Sequence, residues 1–299
     1  MPMQREASVG NLAGSSSVIA TTAQAFRRKL FDQFMFGIVV LCAALAVVVL
    51  AIILLDVAIK GAPALNFAFF TERPLPLGEV GGGVAPAIIG TLLMLAVAAL
   101  IGVPIGVGTA IYLAEYGTGR FADAVSYTID MLAGVPSVVV GVFVWAVLVR
   151  QVFGSFSGLT GAVALALLMI PIITRTVEEM LRLVPDTYRE AALGMGVSRA
   201  KTIMYVVIPT AKGGIVTGVV LAMARAGGET APLILTALGN QFFNLDLMQP
   251  MAALPLQIYA YASSPYADWH TKAWGSALVL IIVVGILSML TRLATRGKF

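Results

Sequence analysis

Arg225 and Glu229 stand four positions apart inside an otherwise apolar run, with Ala226-Gly227-Gly228 between them. Charge at bilayer depth costs at least about 2.5–3.5 kcal/mol on insertion scales, so such groups face a protein interior or a water-filled path. From Lys212, Arg225 lies about 20 Å along a helix at a rise of roughly 1.5 Å per residue. A spacing of four puts both residues on one helix face, within reach of each other. The small residues between them admit another backbone or a small solute. Pro232, one turn on, frees the carbonyl of Gly228 and bends the helix. An arginine fork suits the oxygens of a phosphate-like anion, and Glu229 can hold the guanidinium or be displaced from it as an anion passes. The same two residues also fit a buried pair that fixes packing against a neighbouring helix.

A second informative stretch is Glu190-Ala191-Ala192-Leu193-Gly194-Met195-Gly196, closed by Val206-Val207-Ile208-Pro209. Pro185 breaks the preceding helix, and Asp186 is a candidate N-cap. Tyr188, Ala191, Ala192 and Met195 form one stripe at helical spacing. Gly194 or Gly196 ends the turn, because glycine takes the left-handed C-terminal conformation at little cost. Ser198 can cap a second helix running to Pro209. The expectation is a short helix between two long ones, with a thin apolar face that another protein can approach.

The elements that position these residues are membrane helices. The chain is 59% hydrophobic and 11% charged, with mean hydropathy +0.95, a polytopic membrane composition. A span needs about 20 apolar residues. Six are predicted, near residues 34–59, 86–113, 131–149, 158–173, 213–238 and 273–290. Residues 1–33 form a cytoplasmic tail, flexible at its polar start, 34–291 the six-span domain, 174–212 its long cytoplasmic loop, and 292–299 a short cytoplasmic tail. Residues 115–130 read as an amphipathic helix at the inner surface. Gly134-Val135-Pro136-Ser137 marks a bend in the third span, and Gly102, Pro104 and Gly106 one in the second. Gly81-Gly82-Gly83 reads as a flexible external loop. If it has a function, that is contact with a partner outside.

The pI near 9.3 does not indicate nucleic acid, because the basic residues gather in short loops beside spans. Lys60, Arg73, Arg150 and Lys272 alone fall outside, with Arg225 intramembrane. The positive-inside rule therefore places both termini and the 174–212 loop in the cytoplasm. The single cysteine, Cys42, excludes an intrachain disulfide, and His270 as the only histidine removes the usual zinc-site combinations. No Gly-x-x-x-x-Gly-Lys-Ser/Thr occurs, so a P-loop ATPase is excluded and energy must come from elsewhere.

The Glu190 to Pro209 spacing resembles the EAA loop of ABC-importer permeases, with Val206-Val207-Ile208-Pro209 a conservative departure from an Ile-x-Leu-Pro ending. Arg225-Ala226-Gly227-Gly228-Glu229-Thr230-Ala231-Pro232 is similar to the Arg-x-x-Gly-Glu-Thr-Ala-Pro run of the PstA-type family of phosphate-importer permeases. Gly81-Gly82-Gly83-Val84, Ile111-Tyr112-Leu113-Ala114-Glu115-Tyr116, Gly134-Val135-Pro136-Ser137 and the run from Pro171 to Glu179 resemble that family in the same order. The resemblance implies an all-α, six-span type I ABC importer (MetI-like) permease in a cell (plasma) inner membrane, itself non-catalytic. It implies a phosphate pathway touched by Arg225, Glu229, Thr230 and Arg175. It also implies a coupling helix, carrying Tyr188, Glu190, Ala191, Ala192, Leu193 and Gly196, that docks into a separate ATPase. The implied partners are a PstC-type permease, two PstB-type ATP-binding subunits that hold ATP and magnesium, and a PstS-type phosphate-binding protein. No cofactor is expected on this chain. By position alone, Arg175 is equally a basic anchor at the end of the fourth span. Glu178 and Glu179 are expected to pair with Arg182 and other loop bases. The competing readings are an importer of another small solute, an ion-coupled secondary transporter using Glu229, and a scaffold without transport. No internal repeat supports the secondary transporter.

Overall fold

The computed structural model describes residues 10–76, 79 and 81–295, with side chains for 27–76, 79 and 81–289. Residues 1–9 and 296–299, within the two expected tails, lie outside that range. The chain forms two compact units, one ending at Asp56 and one beginning at Val57.

Helix α1 (Gly10–Gly61) supplies the whole described part of the first unit. Its exposed side chains from residue 27 to 55 are overwhelmingly apolar, as suits a helix meeting acyl chains on all sides. The backbone is already helical at Gly10, where a flexible segment was expected. No Pro interrupts residues 15–60, and Gly37 is the one glycine among them, a cost of about 1 kcal/mol that a long apolar helix absorbs, so the helix runs on from the start into the span.

In the second unit, Asn66 caps the short α2 (Phe67–Thr71), its side-chain oxygen accepting the Phe69 amide at 2.8 Å. Helix α3 (Ala85–Ile111) continues through a π turn, Tyr112–Tyr116. Helix α4 (Gly119–Gly134) and helix α5 (Ser137–Val144), extended by a wide turn to Phe153, follow. Helix α6 (Gly158–Arg182) leads to α7 (Asp186–Gly194) and α8 (Arg199–Thr202). A π turn, Ile203–Val207, then joins α9 (Ile208–Gly227). Helices α10 (Ala231–Thr236), α11 (Leu254–Ala262) and α12 (Ala267–Thr295) complete the chain.

The core is α6, wrapped by α3 and α9. Met94, Ala98, Ala166, Met169, Ile173, Val177 and Ala222 are fully or almost fully buried there. Glycines permit the close packing: a Cβ on Gly106 would lie 2.8 Å from the Ile173 side chain, and one on Gly90 would lie 2.1 Å from the Ala252 carbonyl oxygen. The Thr174 hydroxyl donates to the Gly106 carbonyl at 3.2 Å, close to Pro104 within α3. At the opposite end from α7, the Thr160 hydroxyl donates to Thr236 O at 2.9 Å, and the Leu254 amide donates to the Thr91 hydroxyl at 2.7 Å.

Among the described residues, five helices are long and apolar enough to cross a membrane, and a sixth span follows if the bent pair α4–α5 counts as one. That pair corrects the third expected span. The chain turns by 105° between Gly134 and Ser137, because Pro136 forces Val135 out of the helical region. Span five differs as well. Its helix begins at Arg199, passes the π turn and stops at Gly227. Pro209 therefore does not end a helix; the wide turn before it absorbs the missing amide bond, and the chain runs on. Pro232 starts α10 instead of bending a continuous helix.

The Gly81-Gly82-Gly83 segment is tied down. The Glu72 carboxylate accepts the Gly82 amide at 3.2 Å, and Lys272 Nζ donates to Gly81 O at 2.6 Å. A Cβ on Gly83 would sit 2.4 Å from the carbonyl oxygens of Ala68 and Phe69. This loop is glycine-rich because backbone packs on backbone, which corrects the flexible reading.

Candidate functional site: three arginine–carboxylate groups and an exposed short helix

Helix α9 buries Ala222 and Ala226 and turns Leu221 and Arg225 outward. It ends because Gly227-Gly228 offers no side-chain packing; Gly228 caps it, its amide donating to Arg225 O. Glu229 therefore lies beyond the helix, not one turn up the same face. Its carboxylate is 4.0 Å from Arg225 Nε, at the limit of an ion pair; the arginine side chain is 67% exposed and the glutamate 19%. Thr230 follows directly as the residue before α10. Pro232 seats α10 on α5, where a Cβ on Gly141 would lie 2.7 Å from Pro232 Cα. The structure thus brings Arg225, Glu229 and Thr230 to one helix break, with the guanidinium presented outward.

Arg175 is elsewhere and fully engaged. Its Nε donates to Asp130 at 2.8 Å, Nη1 to Glu178 at 2.7 Å, and Nη2 to the Ser126 carbonyl and hydroxyl at 2.8 and 2.7 Å. Glu178 also accepts from Arg182 at 2.7 Å, as its sequence neighbours suggested. The group fastens α4 to α6. Nothing in the spacing of residues 45–49 positions apart indicated it.

The short helix expected around Glu190 is α7. Asp186 is its first helical residue and not its cap; Pro185 holds the cap position and offers no side-chain bond. At the other end, Gly196 has φ +80°. The Val197 amide reaches Ala192 O at 3.1 Å and the Gly196 amide reaches Leu193 O at 2.9 Å, the paired closure that wants glycine there. Ser198 occupies the next cap position without a hydroxyl bond. Tyr188, Glu190, Ala191, Leu193, Met195 and Gly196 are exposed, whereas Ala192 is buried. The expected stripe is therefore split, because Ala192 turns inward when α7 packs on the π turn after α8.

A third arginine group was not singled out from sequence. The Glu115 carboxylate, buried at the end of α3, accepts from Arg189 Nη2 at 2.6 Å and from Nε at 3.2 and 3.3 Å. Arg189 also donates to Val184 O at 2.6 Å and Leu181 O at 2.9 Å. The hydrogen bond with Glu115, against the opposing effect of burial, holds this guanidinium above its usual range. Arg199 donates to the Glu115 carbonyl and lies 5.1 Å over the Tyr116 ring. The signal was present only as a charged residue closing an apolar span.

A cavity of about 420 Å³ is lined by Pro74, Asn240, Gln241, Phe242, Gln257 and Tyr261, among others, and no charged side chain is among its lining residues. Among the described residues, no three His, Cys, Asp or Glu side chains are placed to share a metal.

Residues 102–296 match the family described as binding-protein-dependent transport system inner membrane component. The chain is 43% identical over 272 residues, 91% of itself and 96% of the relative, to the phosphate transport system permease protein PstA of Haemophilus influenzae. It is 44% identical to PstA 1 of Mycobacterium tuberculosis strain H37Rv, covering 74% of this chain and 73% of that one. Among solved structures it is similar to a chain of the inward-facing MetNI methionine ABC transporter, with TM-score 0.61 and 19% identity over 72% of this chain and 95% of that one. It also resembles a chain of a bacterial alginate ABC transporter, with TM-score 0.63 and 13% identity, covering 89% and 94%. Those two likenesses show a shared ABC-importer permease fold. With the outward-facing arginine at a helix break and the exposed short helix between two spans, these matches establish that the chain belongs to the inner-membrane components of binding-protein-dependent transport systems, and within them to the PstA family of permeases.

Proposed function

We propose that this chain is one permease subunit of an ATP-driven phosphate importer and forms half of the translocation path. The observation that carries the reading is Arg225: a guanidinium two-thirds exposed at the broken end of an apolar helix, with Glu229 at 4.0 Å. An intramembrane charge left this loosely paired needs a further partner, and a small oxyanion satisfies the planar fork. The PstA relatives support phosphate as that oxyanion. Glu229 then competes with phosphate for the guanidinium, so the anion is held without being trapped, and Thr230 offers a neutral hydroxyl beside it. Arg175 enters as an exit-side group, available to phosphate only when Asp130 releases it.

On this reading the chain does no chemistry and binds no cofactor. Two PstB-type subunits hydrolyse ATP with magnesium, and α7 docks on one of them through Tyr188, Glu190, Ala191, Leu193 and the Gly196 turn, with Ala192 anchoring it from behind. A PstC-type permease supplies the other half of the path, against the face carrying Arg225. A PstS-type binding protein delivers phosphate from outside. Both termini lie in the cytoplasm, as the basic residues beside the spans support.

The test is ATP-driven uptake of labelled phosphate by the reconstituted four-component complex, wild type against Arg225→Ala, with assembly checked. Lost uptake with intact assembly and retained ATP hydrolysis is expected. Normal uptake would sink the transit role and make Arg225–Glu229 a packing device. Competition by unlabelled sulfate or an amino acid, at concentrations where phosphate competes, would change the cargo.

A further inference from the structure

Helix α7 is covalently joined to α6 on one side and α8 on the other, and a push on it would be expected to reach those two elements. The hydrogen bonds show a third connection. Glu115, at the end of α3, lies 74 residues from Arg189 and is buried, yet its carboxylate takes both Nε and Nη2 of that arginine. Arg189 is the only basic residue on α7, and its remaining donors go to the Leu181 and Val184 carbonyls at the foot of α6. On the far side of α7, Arg199 holds the Glu115 carbonyl and covers Tyr116. So α7 is bracketed: one arginine within it and one after it both close on Glu115, and the second also covers Tyr116.

The receiving end is a π turn, Tyr112–Tyr116, where a widened ring gives the backbone a carbonyl pattern unlike that of a regular helix. One full turn pair back, Pro104 interrupts the amide ladder of α3 between Gly102 and Gly106, and those glycines face α6 without side chains. The inner half of α3 is therefore a lever with a rigid grip at one end and a weak point at the other.

We infer that the Glu115–Arg189 pair, with Arg199, is the link that makes α3 move with the short helix, so that these are positioning residues for transport. The pair travels as a unit and does not open during the cycle. A bidentate pair of this kind is suited to the task because separating it would leave the buried Glu115 carboxylate, 5% exposed, without its charged partner. Arg225 has the opposite character, and neither Glu115 nor Arg189 touches the solute. This inference rests on the reading that α7 docks on an ATPase.

The test uses the reconstituted complex with its partner permease, ATPase subunits and binding protein, and reads phosphate moved per ATP hydrolysed. Wild type must first transport with ATP; if it does not, the importer reading fails and the link is not what was at fault. Given wild-type transport, Glu115→Gln and Arg189→Lys should assemble and hydrolyse ATP while the phosphate moved per ATP drops by roughly tenfold, a usual size for coupling between sites. The exchanged pair Glu115→Arg with Arg189→Glu should recover part of it. An unchanged ratio in assembled single variants would overturn the inference. Should the single variants fail to assemble, a second arm decides. In a Cys42→Ser background, which removes this chain's sole native thiol, Glu115→Cys and Arg189→Cys are joined by a short bis-methanethiosulfonate, each thiolate displacing a sulfinate to form a disulfide that a reductant later releases. Transport retained after joining is the expected result. Transport blocked by joining and restored on release would show that the pair must open, and would overturn the inference.

Discussion

At the break after α9, the Arg225 guanidinium is mostly exposed and its carboxylate stands 4.0 Å away. At the opposite end, Arg189 and Arg175 each spend their donors on carboxylates and carbonyls at 2.6–2.9 Å for the shortest contacts. All three are arginines facing acidic residues. They differ in saturation, and saturation separates a group that can exchange partners from one that fastens helices. A guanidinium has five donors in a fixed fork. Where the protein fills them, removal costs stability; where it leaves them open, as at Arg225, the proposed transit role has removal cost uptake instead.

The comparison breaks most sharply at the clasped end. Arg189→Ala leaves Glu115 buried and unpaired, so a loss of about 3–5 kcal/mol in unfolding free energy is expected, read as a lower Tm in detergent and poor assembly. Arg225→Ala should instead keep Tm and lose uptake by roughly 30- to 150-fold, the size of one charge-assisted contact of about 2–3 kcal/mol. Equal effects of both variants on Tm would erase the distinction.

Arg175 sharpens it further, since it is both clasped and a proposed exit-side group. Lysine cannot reproduce its fork, so Arg175→Lys should cost about 1–2 kcal/mol through the lost bonds to Ser126 and Asp130. Asp130→Asn in the same assay should lower Tm less and leave uptake per folded complex the same or higher, because it loosens the clasp without removing the cation. Reduced uptake at unchanged Tm in Asp130→Asn would reverse the order of roles. Gly196→Ala is smaller: a Cβ at φ +80° should cost about 1 kcal/mol and fray α7, seen as faster amide exchange there. Least of all is Asp186→Asn. Its carboxylate is 86% exposed and touches Arg189 at 3.1 Å, and an exposed pair of that kind should change stability by less than about 0.5 kcal/mol.

Hydropathy located the apolar helices, five long ones and a bent pair in place of the third expected span, because apolar length is a local property that a bilayer reads directly. Spacing also located α7 and its glycine closure, since helix ends follow from a few neighbouring residues. Breaks were located but not sized. Pro136 announced a bend, yet its 105° is an angle between two helices, α4 and α5, that both pack on α6. Gly227-Gly228 announced openness and ends α9, yet where the chain goes next was set by Pro232 seating α10 against Gly141.

The sequence by itself determined an all-helical membrane protein, the position of a short exposed helix, and a charged pair where charge is expensive. Only the tertiary structure decided which arginines are spent and which is open. Asp130 with Arg175 and Glu115 with Arg189 are 45 and 74 residues apart, and no periodicity carries information over that distance. Those partners meet because α6 packs against both α3 and α4 and is followed directly by α7, and packing is a property of the whole core that no single stretch contains.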